Sequence, residues 1–552
     1  MRTSRLILLP VVFASIAVAR VVATYEVYSP TFDEPAHLAA GMEWLDRGVY
    51  RYEPLHPPLG RIAIALGPWL GGFHSHGGLG PWQEGNTILH SRGAPGPAMA
   101  LARAGILPFF VILVGLVGFW SASLGGPWAA AVAVLLLTLL PPVLAHAGLA
   151  TTDVPGTTGL IAALFALVRW LERPSLQRGI ALGGAVALAL LCKMSAVVIL
   201  PVACGAIWML SSRGAKPTSA ARLPSAALAC AAAFLLLWAG YRFSVGPLKA
   251  GPEPAAGPGA SAVASSLRQL ALATARQPIY PAPEWARGLK QMLSANTEGR
   301  KNYVLGQPRR GGVWYFFPLA LAVKTPLPFL VLALAGAVLL MRDSRRTGRW
   351  QSAAPVVAAA AILGVAMLGG INIGVRHVLA IYPLLAICGA AGVLALWRAQ
   401  RRRLIARGIA AALVAWLAVE SLLAHPDYLP YFNQLAGAHP ERVLVDSDLD
   451  WGQDLHRLAD TLRARKIDRI ALAYHGKVNL AGYGLPPFTE LPERTPTAGW
   501  IAISFYRLQL GYMGGDFEPF AWLRRHEPVA RVGRSILLYH IVEPSLRSGT
   551  SQ

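Results

Sequence analysis

The sequence predicts an all-helical polytopic membrane protein: a bundle of about eleven transmembrane helices, followed by a small soluble α/β domain. Three observations carry that prediction. Mean hydropathy is +0.45 and only 14% of the 552 residues are charged, against about 25% in soluble domains. Apolar stretches long enough to cross a bilayer, about 18 residues or more, recur from residue 6 to residue 424. Beyond residue 425 the apolar runs shorten to strand length. Soluble-globule, disordered, collagen-like and coiled-coil architectures are excluded by the same composition.

The net charge of +22 has a definite location. Residues 425–552 hold 14 acidic and 14 basic side chains, so the excess lies in residues 1–424, with 36 basic against 14 acidic. It gathers in short loops between apolar runs: Arg169/Arg173/Arg178, Arg213/Lys216/Arg222, Arg342/Arg345/Arg346/Arg349 and Arg398/Arg401/Arg402/Arg403/Arg407. Positive charge in short loops marks the cytoplasmic side of a membrane protein, and no nucleic-acid partner is needed to explain it. Cys192, Cys204, Cys230 and Cys388 all lie in apolar runs, without metal-ligand spacing or a disulfide pattern.

Taken in order, the first run (Leu6 to about Thr24) follows Arg2 and Arg5. It reads as a retained signal anchor rather than a cleaved signal peptide, because Arg20 interrupts it before any cleavage site. The later runs are 98–121, 127–147, 154–171, 179–192, 194–210, 224–245, 314–341, 352–371, 376–397 and 404–424. Two of these, 179–192 and 194–210, fall short of the ~20 residues of a straight span. They read as a short hairpin around Lys193 or as one longer helix. The charge bias favours the hairpin, which keeps all four Arg-rich loops on one side. The N-terminus is then inside and the tail outside. This divides the chain into a membrane module, 1–424, and an extracytoplasmic α/β domain, 425–552. The loops 26–97 and 246–313 also lie outside. Together they imply a multi-pass protein of the plasma (inner) membrane with its chemistry on the outer face.

Within 26–97, Glu34-Pro35 reads as a helix start with Pro at the first position. Leu38, Met42 and Leu45 follow at helical spacing. Pro58 to Leu70 is a second helix, apolar enough to lie in the interface. Gly251 to Ser266 is a flexible stretch rich in Pro, Gly, Ala and Ser. In the tail, residues 442–446 read as a strand, Gln453 to Arg465 as a helix and Arg469 to Tyr474 as a strand. That makes one βαβ unit, to which Trp500–Ser504 and Ser535–Ile541 could add strands.

The residues able to do chemistry cluster outside. Asp33 and Glu34 form a carboxylate pair at a helix N-terminus, where the helix dipole favours the ionised form that a general base needs. Glu53 and His56 stand at the mouth of the second outside helix, in Tyr52-Glu53-Pro54-Leu55-His56-Pro57-Pro58-Leu59-Gly60. Arg376, after a Gly at an outer helix start, has the forked geometry of a phosphate clamp. Lys193 and Lys324 interrupt apolar runs, where a cation costs roughly 2.5–3.5 kcal/mol at a span centre. The acids Asp446, Asp448, Asp450 and Asp454 imitate a calcium loop, but Trp451 stands where Gly is required and no Glu follows at position twelve. They read instead as strand-end residues that cap the following helix, with substrate contact the lesser reading.

This order of motifs resembles the protein O-mannosyltransferases and the wider membrane glycosyltransferases of GT-C fold, including the aminoarabinose transferase of lipid A. The resemblance covers about residues 1–424. It rests on Asp33-Glu34, on His56-Pro57-Pro58-Leu59-Gly60, and on Ala150-Thr151-Thr152-Asp153-Val154-Pro155. Leu191-Cys192-Lys193, Val323-Lys324-Thr325-Pro326 and Asn372-Ile373-Gly374-Val375-Arg376-His377 add to it. It implies inverting transfer of a sugar from a polyprenyl phosphate to a hydroxyl of a protein, lipid or glycan acceptor on the extracytoplasmic face. Asp33, Glu34 and Asp153 are then the catalytic carboxylates. Arg376, Lys193, Lys324 and His377 meet the donor phosphate, and His56 and Glu53 contact substrate. The lipid A enzyme has Lys where His56 stands, which leaves sugar and acceptor open. No cofactor is indicated, and a bound divalent metal stays an open question. The alternative is a flippase for lipid-linked saccharides, whose ionisable residues would line a path through the bundle.

Overall fold

A computed structural model describes residues 2–212, 221–248 and 278–542, with side chains from Leu8 onward. The Gly251–Ser266 stretch lies outside the described residues. Among the described residues seven helices are long and apolar enough to cross a membrane: Gly96–Gly125, Asp153–Glu172, Arg222–Gly240, Leu327–Thr347, Trp350–Met367, Ile381–Arg398 and Arg403–Leu423. They become eight if the bent pair Pro127–Thr138 and Pro141–Ala147 is one span. Hydropathy alone suggested eleven. The difference lies in three shorter apolar helices, Leu8–Val22, Leu176–Cys192 and Ala196–Ser212, and in the break at Leu139–Leu140, where Pro141 and Pro142 turn the chain by 72°. Lys193 lies in extended backbone between Leu176–Cys192 and Ala196–Ser212, so the two short runs are separate helices, not one.

The segment 26–97 folds as its prolines dictate. Pro35 and Pro58 occupy first-turn positions, where their missing N–H is no loss, and start helices Glu34–Arg47 and Pro58–Leu70. The two helices pack directly at Gly41, where a Cβ would lie 2.0 Å from the Arg61 carbonyl oxygen.

The tail carries a five-stranded sheet in the order Phe488–Glu490, Ile470–Ala473, Gly499–Ser504, Ile536–Ile541, Ala530–Val532. The first three strands are parallel, and Ile536–Ile541 runs antiparallel to both its neighbours, Gly499–Ser504 and Ala530–Val532. One sequence expectation fails here. Residues 442–446 form no strand; they run between short 3-10 turns, with a single bridge from Leu444 to Val304. The segment cannot extend the sheet because it packs against the membrane helices: Tyr428, Leu444 and Trp451 belong to the same apolar cluster as the bundle. Leu455–Ala464, the expected helix, then covers one face of the sheet through Leu455, Leu458 and Leu462.

Chain direction sets the polarity of the whole molecule. Helix Asp153–Glu172 runs from Asp153 to Arg169, and Leu327–Thr347 runs from beside Lys324 to Arg345 and Arg346. Among the described residues the acidic loops and the tail therefore sit at one end of the bundle, and Arg169, Arg345 and Arg346 at the other.

Candidate active site

Four of the residues singled out in the sequence converge at that first end. Asp33 precedes helix Glu34–Arg47 in the N-cap position, yet its side chain caps nothing. Instead its Oδ2 accepts a 2.9 Å hydrogen bond from the Arg376 guanidinium, 343 residues away in sequence. Arg376 sits in the 3-10 turn Val375–Val378 and lies 4.1 Å above the ring of Trp451. Its same nitrogen is 3.9 Å from Asp153 Oδ2. Asp153 opens its helix, buried, and accepts from Lys193 Nζ at 2.6 Å and from Thr151 Oγ1 at 3.1 Å. The result is an alternating chain of charges, Asp33–Arg376–Asp153–Lys193, assembled from four separate segments. Only excellent geometry compensates the desolvation of such groups, and here each acid has a cation within 3 Å.

Asp33 and Arg376 lie on the wall of a cavity of about 300 Å³, at the lower end of the sizes typical of ligand pockets. The tail supplies much of its remaining lining through Asp446, Trp451, His475 and Tyr506, and the hairpin Lys301–Val304/Gln307–Arg310 contributes Lys301 and Arg310. Burial pushes the Asp446 carboxyl up to about 7, against the pull of Arg376.

The tail loop 446–454 fixes both sides of this site. Toward the Asp33 loop, Phe32 N donates to the Trp451 carbonyl, Ser29 N to the Gln453 carbonyl and Ser29 Oγ to the Gly452 carbonyl, all within 3.0 Å. Toward the Arg376 turn, Val375 N donates to Asp448 Oδ1 at 2.9 Å and Ser447 Oγ donates to the Ile373 carbonyl at 2.5 Å. Gly374 makes this docking possible. Its φ is +154°, and a Cβ there would lie 2.3 Å from Ser447 Oγ. The acids of this loop therefore do not cap a helix from a strand end. Asp454 does precede helix Leu455–Ala464, but its carboxylate pairs with Arg457 and accepts from Arg534 N and Ser535 N, tying helix to sheet.

The other expected residues stand elsewhere. Glu34 is fully buried and faces away from the cavity. It accepts two hydrogen bonds from Arg103, at 2.9 Å each, and others from Thr31 N at 2.7 Å and Ala150 N at 2.8 Å. Burial pushes its carboxyl up, but Arg103 and these donors outweigh that and hold it below the ordinary value. Its acceptor capacity is filled by protein, so it locks the Asp33 loop to the bundle instead of meeting substrate. Glu53 pairs with the buried Arg61, which also donates to His37 Nδ1 at 3.0 Å. His56 lies beside Thr152, with Nδ1 3.3 Å from its hydroxyl, and burial and Arg61 hold it uncharged. Neither lines the cavity.

Lys324 was expected at the donor phosphate. It is buried, donates to the carbonyls of Leu429 (2.8 Å) and Asp448 (2.6 Å), and so anchors the tail loop. His377 packs its ring against Phe317, and burial, with Lys193 and Arg376 near it, keeps it neutral; it does not line the cavity. Trp451, His475 and Tyr506 are cavity residues that the sequence reading missed. The Trp451-Gly452-Gln453 run after three alternating acids was the one available signal. Among the described residues no three His, Cys, Asp or Glu side chains converge as a metal site.

Residues 100–239, a quarter of the chain, match the family model described as dolichyl-phosphate-mannose-protein mannosyltransferase. No curated protein sequence gives a significant match. Among solved structures, the S. cerevisiae protein O-mannosyltransferase Pmt1–Pmt2 complex bound to the sugar donor is similar over 76% of this chain and 90% of that one. Its TM-score is 0.54 at 11% identity. The oligosaccharyltransferase of Archaeoglobus fulgidus in complex with Zn and sulfate is similar over 91% and 68%, with TM-score 0.52 and 11% identity. ArnT from Cupriavidus metallidurans bound to undecaprenyl phosphate aligns over 96% and 97%, with TM-score 0.49 and 14% identity. At these identities the likeness is one of fold. The chain resembles the GT-C membrane glycosyltransferases, the protein O-mannosyltransferases among them.

Proposed function

We propose that this chain, a multi-span membrane protein resembling the GT-C glycosyltransferases, is an inverting glycosyltransferase. It moves a sugar from a polyprenyl phosphate to an acceptor hydroxyl on the extracytoplasmic face. The observation that carries the reading is the meeting of Asp33 and Arg376 on one cavity wall, 2.9 Å apart. Inverting transfer needs a base on the acceptor side and a cation on the leaving phosphate, and this pair offers both. Asp33 takes the proton of the acceptor hydroxyl as its oxygen forms a bond to the anomeric carbon. The bond from that carbon to the phosphate oxygen breaks, and polyprenyl phosphate leaves with the electron pair. Arg376 meets the phosphate. Its Nε is buried and has no partner among the described residues, and donor binding parts the ion pair so that Asp33 and the phosphate face opposite sides of the anomeric carbon.

Asp153 and Lys193 are positioning groups in this reading: Asp153 balances the charge of Arg376, and Lys193 holds Asp153 in place. The threading is N-terminus inside and tail outside, in the plasma or inner membrane, with the sequence-derived eleven crossings as its fullest form. The Arg-rich turns opposite the site support that orientation.

The test uses detergent-opened membranes containing wild type or Asp33→Asn and radiolabelled sugar supplied as polyprenyl phosphate or as nucleotide. Transfer from the lipid donor alone, lost in Asp33→Asn while donor binding persists, is the expected result. Undiminished transfer by Asp33→Asn would remove the base from the mechanism.

A further inference from the structure

The cavity has two chemically different walls. One carries Arg376 and Asp33. The other comes from the tail and carries Asp446, His475 and Tyr506. The second wall is built with some strain. Asp446 holds a left-handed backbone, φ 51°, unusual for a residue with a side chain. Its carbonyl oxygen is pinned by the N–H groups of Leu449 (2.9 Å) and Asp450 (2.8 Å). One carboxylate oxygen accepts from Ser447 N at 2.6 Å, and the other has no hydrogen-bond partner among the described residues.

Next to it the rings of Phe32, His475 and Tyr506 form a stacked column. His475 and Tyr506 are 3.6 Å apart and nearly parallel at 7°, and Phe32 lies 5.1 Å from His475 on its other side. With both faces covered, His475 presents only its edge. It is 4% exposed, and its Nδ1 is a buried polar atom without a partner among the described residues. A buried polar atom left unpaired is costly, and one lining a cavity points to a ligand that completes it. The Tyr506 hydroxyl likewise has no protein partner among the described residues.

These groups suit one kind of ligand. A free carboxylate oxygen repels phosphate but accepts from hydroxyls. A neutral imidazole edge and a phenol supply one donor or acceptor each. Burial, with Arg507 and Lys477 near it, keeps His475 uncharged. We propose that Asp446, His475 and Tyr506 form a hydroxyl-reading subsite for a pyranose or furanose ring, so that the tail domain, not the membrane bundle, reads which sugar occupies the site. The inference rests on the glycosyltransferase reading above. The ring can belong to the donor or to a glycan acceptor, and the chemistry of recognition is shared.

The experiment measures binding to the purified full chain in detergent, with sugar-free polyprenyl phosphate and polyprenyl-phosphate hexoses as probes, in wild type, Asp446→Asn and Tyr506→Phe. Tyr506→Phe keeps the ring column and so guards against misfolding of the acidic loop. At pH 8.5, above the raised value of about 7 so that the Asp446 carboxyl is ionised, the subsite predicts at least about tenfold weaker binding of a sugar-bearing lipid to Asp446→Asn, since hydrogen bonds to a charged group are the strong ones. A smaller loss is expected for Tyr506→Phe, and unchanged binding of the sugar-free lipid for both. If the sugar-bearing lipid binds equally well but KM for a glycan acceptor rises by a similar factor, the subsite holds the acceptor ring. Unchanged donor affinity together with unchanged acceptor KM in both variants overturns the inference. A wild type that binds neither lipid overturns the glycosyltransferase reading itself, a separable result.

Discussion

Adjacent carboxylates at positions 33 and 34 should fail in opposite ways when neutralised. In Glu34→Gln the side chain keeps its shape, but buried Arg103 loses its one counter-charge among the described residues. Breaking a buried pair from one side costs about 3–5 kcal/mol. Arg103 retains the carbonyls of Tyr25, Tyr28 and Ser29 at 2.7–3.2 Å, which places the expected loss near the lower end, about 3 kcal/mol. Against a typical total of roughly 5–15 kcal/mol, that is a large fraction. The assay is thermal unfolding of detergent-purified protein, followed by size-exclusion recovery after heating. Glu34→Gln should lose midpoint temperature while Asp33→Asn keeps it. The double variant Glu34→Leu/Arg103→Met should recover much of the loss, because an apolar pair of similar volume removes both buried charges. A Glu34→Gln protein as stable as wild type, yet unable to turn over bound donor, would refute the structural assignment and return Glu34 to the chemistry.

Arg376→Lys should raise the donor KM by about tenfold, because an ammonium can neither fork nor stack as the guanidinium does on Trp451; unchanged kinetics would remove the phosphate role. Lys324→Met should leave binding of sugar-free polyprenyl phosphate intact while making residues 429–448 more sensitive to limited proteolysis, since two carbonyl anchors are lost; weakened lipid binding would instead restore Lys324 to the phosphate. Burial pushes both Asp446 and Asp450 up to about 7, from about 3.9 in an unfolded chain. The folded state therefore binds these protons more tightly, and that stabilisation is complete below about pH 4 and lost as pH rises through 7. For the fully buried Asp450 it is at most of order 4 kcal/mol. Thermal midpoints should fall between pH 5 and 8.5, and less steeply in Asp450→Asn; a flat wild-type profile would contradict this.

Local rules made much of the molecule readable in advance. Mean hydropathy located the apolar runs, though not the breaks that divide 127–147 and 314–341 into two helices each, and Pro35 and Pro58 marked helices Glu34–Arg47 and Pro58–Leu70 at their starts, because these are properties of contiguous residues. Chemical type also singled out Asp33, Lys193 and Arg376, since charged groups beside apolar runs need a reason to be there, whereas Asp153 was reached only through the family resemblance of residues 150–155. Sequence could not separate Asp33 from its neighbour Glu34. That distinction depends on Arg103, 69 residues further on, which captures one carboxylate and leaves the other facing Arg376.

Lys324 and Arg376 were equivalent as cations in the sequence, and only packing assigns one to backbone carbonyls and the other to the cavity. The tail was misread for the same reason. Residues 442–446 have the composition of a strand, but Leu444 and Trp451 bury themselves in the membrane bundle and carry the acidic loop onto the site. Composition and periodicity thus determined the class of the protein and its list of candidate residues. The partner of each charge, and hence its role, was decided by contacts between segments 40 to 343 residues apart, which no local pattern encodes.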